Sequence, residues 1–204
     1  MIKFENVFKS FEDKKIIENL NIEFPEKGLV CLFGESGIGK STILNLISGL
    51  TKPDLGKIKG IENKNFSYVF QDDRLIEWLN VLENVMIVVN GGKAFEKKKI
   101  AEDLLNEFEL LDFKNKYPHE LSGGMRRKLS IARALAFSGD IFLFDEPFKG
   151  LDEKSKQKVA NIILSKIKDK LVILVSHEDN EIKLMKVDKI YHVDKSPISQ
   201  IKIN

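Results

Sequence analysis

Short apolar runs open the chain, Ile2–Val7, Leu20–Phe24 and Leu29–Phe33, with charged turns between them. Short apolar runs alternating with charged turns predict strands forming an antiparallel edge layer. Leu29–Phe33 runs directly into a glycine-rich segment, after which Ser41–Leu50 has the spacing of a helix closed by Gly49. Pro53-Asp54-Leu55-Gly56 reads as a turn, and Phe66–Phe70 as a further strand. From Asp72 to about Ala136 helical spacing replaces the strand pattern, as in Ala101, Leu104, Leu105 and Phe108, with a break at Asn90-Gly91-Gly92. Strands return at Ile141–Asp145 and Leu171–Ser176, separated by a Lys/Glu-rich amphipathic helix from about Glu153 to Lys168. The expected fold is a single α/β domain. Its core is 1–71 and 137–204, with the antiparallel layer at its edge and a helical insertion over about 72–136.

Composition narrows this picture only a little. The 204 residues are 43% apolar and 31% charged, ordinary for a globular protein. A net charge of +2 gives no warrant for a nucleic-acid-binding or membrane-surface protein. The four arginines, Arg74, Arg126, Arg127 and Arg133, all fall in the helical stretch, a concentration that suggests a site or an interface. Cys31 is the sole cysteine, which points to a reducing cytosolic setting, and its apolar neighbours favour a small buried hydrophobe over a reactive thiol. The N-terminus lacks the apolar core of a signal peptide, and the densest apolar run, Leu171–Ser176, is far shorter than the ~20 residues that span a bilayer. A soluble chain is expected, with any membrane-spanning part supplied by another protein.

The chemistry concentrates at strand ends. Gly34-Glu35-Ser36-Gly37-Ile38-Gly39-Lys40-Ser41-Thr42 follows an apolar strand and precedes a helix, the context in which G-x-x-x-x-G-K-[ST] forms a phosphate loop. Glycines let successive N–H groups converge on an anion at a helix N-terminus. Lys40 is then expected to reach the β- and γ-phosphates of ATP, and Ser41 to ligate Mg²⁺. The run Ile141–Phe144 reads as a buried parallel strand delivering Asp145 and Glu146 to its C-terminal end, where α/β ligand sites form. There Asp145 would hold Mg²⁺ and Glu146 would polarise the attacking water, although adjacent carboxylates also suit a helix cap. Gln71 closes its strand with a neutral amide able to touch both Mg²⁺ and water. His177 ends another strand and can donate to the γ-phosphate, a role that only its neighbours recommend over a structural one.

With Leu121-Ser122-Gly123-Gly124 added, the order of phosphate loop, Gln71, LSGG, Asp145-Glu146 and His177 resembles the ATP-binding cassette (ABC) ATPases over about Ile2 to Val193. The resemblance implies that Ser122, Gly123 and Gly124 open a helix and bind the γ-phosphate held by a second copy, so that two chains sandwich two ATP molecules. It implies that Phe11 stacks on adenine, with a core or surface aromatic as the alternative. It implies that Asp152, in Gly150-Leu151-Asp152, belongs to a loop linking the two sites; the same residue equally suits a helix cap. Met125 in place of the customary Gln, with Arg74-Leu75 and Trp78, resembles the nitrate, sulfonate and taurine importer group. Trp78 can also simply pack the helical lobe. The resemblance further implies an ATPase energising a separate integral membrane permease, with a solute-binding protein in the full system. Such a subunit is peripheral on the inner face of the cell membrane and takes no nucleic acid. A soluble repair or translation-factor relative is the alternative; the short insertion and lack of a tandem cassette speak against it.

Overall fold

The computed structural model describes residues 1–204, which divide into two compact units. The first comprises Met1–Phe66, Asp140–Asp145 and Asp169–Asn204; the second comprises Ser67–Gly139 and Glu146–Lys168.

The first unit holds two sheets. Strands β1 (Ile2–Phe11), β2 (Lys14–Phe24) and β4 (Leu55–Lys59) pair antiparallel in the order β2-β1-β4. Both hairpin strands are longer than their alternation suggests, because bulges break the phase. Asn6 takes a left-handed conformation (φ 48°) at one of them, where its N–H donates to Asn21 Oδ1 at 2.9 Å. Strand β4 overlaps the expected turn; within it only Ile58 escapes full exposure, so the pattern gives no sign of a strand.

The second sheet carries the strands expected to lead into the phosphate loop, Asp145 and His177. Strand β3 (Gly28–Phe33) pairs in parallel with β7 (Leu171–Ser176) and β8 (Lys189–His192), and β6 (Ile141–Asp145) pairs in parallel with β7. The short β9 (Lys202–Ile203) adds antiparallel to β8. Every residue of β6 and β7 is buried, as expected of parallel strands covered on both faces. Helix α1 (Lys40–Ile47) packs Ile43, Leu44, Leu46 and Ile47 inward, lying against β6 and β7. Tyr191 of β8 stacks on Phe24 of β2 at 5.1 Å and donates its hydroxyl to Glu23 O at 2.9 Å, which ties the two sheets together. The run Phe66–Phe70 expected as a strand is realised as β5 (Phe66–Val69), which continues into the second unit.

The second unit is helical: α2 (Val81–Met86), α3 (Ala94–Glu107), α4 (Gly123–Phe137) and α5 (Glu153–Lys166), with 3₁₀ turns at Leu111–Phe113 and Pro118–Glu120. Helix α2 starts with a capping box, Asn80 accepting from Glu83 N and Glu83 accepting from Asn80 N, both at 2.9 Å. Fully buried Asn84 holds the preceding loop, accepting from Ile76 N and donating to the carbonyls of Ile76, Leu79 and Asn80. Trp78 is 79% exposed, so it does not pack the lobe. The last helix, α6 (Asp179–Met185), returns to the first unit.

Candidate nucleotide-binding site

Register aligns the strand ends of the first unit. Phe33 of β3 pairs with Ser176 of β7, and Asp145 of β6 pairs with Val175. The phosphate loop, Asp145 and His177 therefore leave the same C-terminal edge of the sheet. Gly39 N-caps α1 with φ 115°, a conformation that disfavours any side chain, and a Cβ there would sit 2.6 Å from Ile16 Cγ2. At Gly34 the constraint is proximity, since a Cβ would lie 2.3 Å from Val193 O. Lys40 is buried, and its Nζ donates to Gly34 O at 2.7 Å and Glu35 O at 2.6 Å, so the cation is anchored inside the loop.

Gly34, Glu35, Ser36 and His177 line one cavity of about 500 Å³, together with Phe33, His192, Val193 and Asp194. The turn into His177 is fixed by buried Ser176, whose Oγ donates to Glu181 Oε2 at 2.6 Å and accepts from Glu178 N at 3.0 Å. His192 and Asp194 escape a reading of the sequence because β8 is a four-residue strand with little alternation. The parallel pairing Phe33↔His192 is what brings them beside the loop. Cys31, in the middle of β3, has its thiol pushed up to about 12 by burial, and is inert at physiological pH. Phe11 ends β1 with 46% of its surface exposed and Lys9 Nζ 5.2 Å from its ring, so it is a surface aromatic and not a core one.

The second unit gathers the remaining residues. Gln71 Nε2 donates to Glu146 Oε2 at 3.5 Å, and Lys149 Nζ stands 3.9 Å from the same oxygen. Glu146 has φ 48°, an uncommon conformation for a residue with a side chain. Ser122 N-caps α4, accepting from Met125 N at 3.3 Å, and Gly123 and Gly124 form its first turn. A Cβ at Gly124 would touch Leu151 Cδ2 at 3.6 Å and Gly150 O at 3.7 Å, so the signature turn adjoins the Gly150–Asp152 loop of its own chain. Asp152 is the N-cap of α5, its carboxylate accepting from Ser155 N at 2.9 Å and Ser155 Oγ at 2.8 Å; those bonds hold its carboxyl below the usual range. The cap reading left open by the sequence is thus realised. Arg74 lies over the Phe70 ring at 3.8 Å, and Arg126 pairs with Glu77 at 2.7 Å.

Comparison with known proteins identifies the family of the chain. The family model described as ABC transporter matches residues 17–149. This chain belongs to the ABC transporter family. As a cassette of that family it is an ATP-binding ATPase subunit of a transporter. It is similar to the bicarbonate transport ATP-binding protein CmpD of Synechocystis, 34% identical over 98% of this chain and 76% of the relative. The aliphatic sulfonates import ATP-binding protein SsuB of Zymomonas mobilis is 37% identical over 97% of this chain and 83% of the relative. Among solved structures, the dimeric MJ0796, a bacterial ABC transporter cassette, superposes with a TM-score of 0.88 at 30% identity, covering 99% of this chain and 98% of that one. An α/β fold of the ABC ATPase type, with its antiparallel layer and helices, is therefore the architecture of this cassette.

Proposed function

We propose that this cassette energises a separate integral membrane permease importing a small anion such as nitrate, sulfonate or taurine, and that it works as two copies sandwiching two ATP molecules with Mg²⁺. The names of its relatives, a bicarbonate transporter and a sulfonate importer, support the anion. No helix is long and apolar enough to cross a membrane, which suits a peripheral subunit held to the inner face by its permease. A solute-binding protein completes the proposed system. The exposed Trp78, four residues after Arg74 in the chain, offers the permease a docking surface.

Within each ATP site, Gly34 through Thr42 cradle the phosphates, Lys40 neutralises the β- and γ-phosphates, and exposed Phe11 stacks on adenine. The Mg²⁺ ligands would be the hydroxyl of Ser41, the amide oxygen of Gln71 and the carboxylate of Asp145, all hard oxygen donors of the kind this ion takes. When bound, the ion would neutralise charge developing on the phosphates. Glu146 takes a proton from the attacking water while His177 donates to the γ-phosphate. Ser122, Gly123 and Gly124 of the second copy close over that phosphate, and Asp152 helps link the two sites.

The observation that carries the catalytic reading is the amide of Gln71 meeting the carboxylate of Glu146 at 3.5 Å, a pair suited to orienting one water. Glu146→Gln should bind ATP normally, lose turnover by roughly 10²–10⁴-fold and accumulate as an ATP-bound dimer on a sizing column. Near wild-type hydrolysis by that variant removes Glu146 as the base. Copurification of an integral membrane protein with the tagged cassette tests the permease; a cassette recovered without one favours a soluble role.

A further inference from the structure

We infer that Arg127 is a positioning residue for hydrolysis, holding the Gln71 turn and the Glu146 backbone to the helix that begins with the signature glycines. The inference rests on the reading of Gln71 and Glu146 as the hydrolytic pair and deepens it. The Arg127 side chain is 3% exposed. Its Nε donates to Pro147 O at 2.9 Å and its Nη2 to Glu146 O at 2.6 Å. Its Nη1 donates to Phe70 O at 2.6 Å and, at 3.4 Å, to Gln71 O and Asp73 Oδ1. One guanidinium therefore joins α4, the segment 70–73 and the dipeptide Glu146-Pro147.

Three physical points give this arrangement a mechanical meaning. Glu146 sits in a left-handed conformation that persists only where surroundings over-determine it, and the 2.6 Å bond to its carbonyl is such a restraint. Burying a cation is costly, and an apolar residue would fill the same volume without that cost, so packing alone does not account for an arginine here. Only a planar fork with five N–H groups reaches three segments at once; the single nitrogen of lysine does not. Arg127 lies one helical turn beyond Gly123, so a shift of Ser122–Gly124 on meeting nucleotide is carried along α4 to the carbonyls that orient Gln71 and Glu146. The side chain touches neither substrate nor water in this scheme and acts through the two residues it holds.

Arg127→Gln and Arg127→Lys in the full chain test this by steady-state ATPase kinetics beside calorimetric melting. In folded Arg127→Gln, kcat should fall on the order of 10²-fold, while KM for ATP changes by less than about threefold, as expected when orientation and not binding is lost. Arg127→Lys, which keeps the charge without the fork, should recover less than about a tenth of the rate. In a Glu146→Gln background, adding Arg127→Gln should leave the residual rate unchanged, because both changes disable one unit. A kcat within about twofold of the parent in a folded variant overturns the inference, as does activity lost only in proportion to folded protein. Should Arg127→Gln not fold, Arg127→Lys decides the question by the same criteria. High turnover in Glu146→Gln alone sinks the underlying assignment of the base; its loss there with Arg127→Gln fully active sinks only the role of Arg127.

Discussion

Two glycine-rich turns, Gly34–Gly39 before α1 and Gly123-Gly124 at the head of α4, both supply backbone N–H groups at a helix N-terminus, yet their glycines are there for opposite reasons. In the phosphate loop the space is full at Gly34 and Gly39, while Gly37 has open space but a left-handed φ of 78°. Gly39 has φ 115° with Ile16 at 2.6 Å from a would-be Cβ, and Gly34 lies against Val193 O. In the signature turn nothing lies within 4 Å of a Cβ at Gly123, and one at Gly124 would meet only ordinary contacts at 3.6 and 3.7 Å, both on helical backbone. The first set of glycines is demanded by the fold of its own unit. The second is not, and the surface it leaves bare is the one on which the second copy is proposed to close. The same residue type is thus a packing requirement in one turn and, under the proposed function, room for a partner in the other.

The comparison breaks first at Lys40. If the phosphate loop is the turn that holds nucleotide within a single chain, Lys40→Met should lose roughly 10²–10³-fold in turnover with ATP affinity falling in step, read by phosphate release and equilibrium binding. Ser122→Ala, by contrast, should leave ATP affinity of the isolated chain unchanged. Equal loss of affinity in the two variants would erase the distinction between the turns.

Adding one methyl to each turn sharpens it further. Gly39→Ala combines a left-handed backbone with an overpacked contact and should cost about 2–4 kcal/mol in urea unfolding. Gly123→Ala removes only backbone freedom from the unfolded chain at a helical position with open space, so it should stabilise by about 0.5–1 kcal/mol. Turnover of Gly123→Ala should nevertheless drop, since the methyl stands where the other copy's γ-phosphate is proposed to enter. A variant more stable and less active is the outcome a merely structural glycine does not give.

How much of this is legible without the structure depends on what kind of signal each residue carries. Asp145, His177 and the loop leading to Lys40 follow strands of continuous apolar residues, and parallel pairing brings those strand ends to one sheet edge. The signature glycines are legible as a helix start because Ser122 is a good N-cap. Arg127 is legible only as one of four clustered arginines, because apart from Asp73 its partners are main-chain carbonyls, and carbonyls leave no trace in a sequence. The left-handed Glu146 is hidden for the same reason. Lys149 reaches Glu146, and His192 and Asp194 reach the Gly34–Ser36 loop, through a loop and a short strand whose placement depends on tertiary pairing. Strand β4 is hidden because it is nearly all exposed, so no apolar rhythm announces it.

The smallest effect separates two caps within the second unit. Ser122 caps α4 with a neutral hydroxyl, and Asp152 caps α5 with a carboxylate held low first by Ser155 N–H and then by the Ser155 hydroxyl. A carboxyl lowered in the folded state contributes stability that is fully present above its unfolded value, near 3.9, and that fades as pH falls through the lower folded value. The Asp152 contribution should therefore be constant from neutral pH down to about 4 and decline only below it. Asp152→Asn keeps an equally good cap without the titration. Its melting temperature should match the parent at pH 7, and below pH 4 it should fall less steeply than the parent. Ser122→Ala should shift the melting temperature by the same amount at every pH, because no proton is bound or released at that cap. If the slopes of Asp152→Asn and the parent coincide under acid, the low carboxyl does not contribute to holding α5 and the two caps are equivalent.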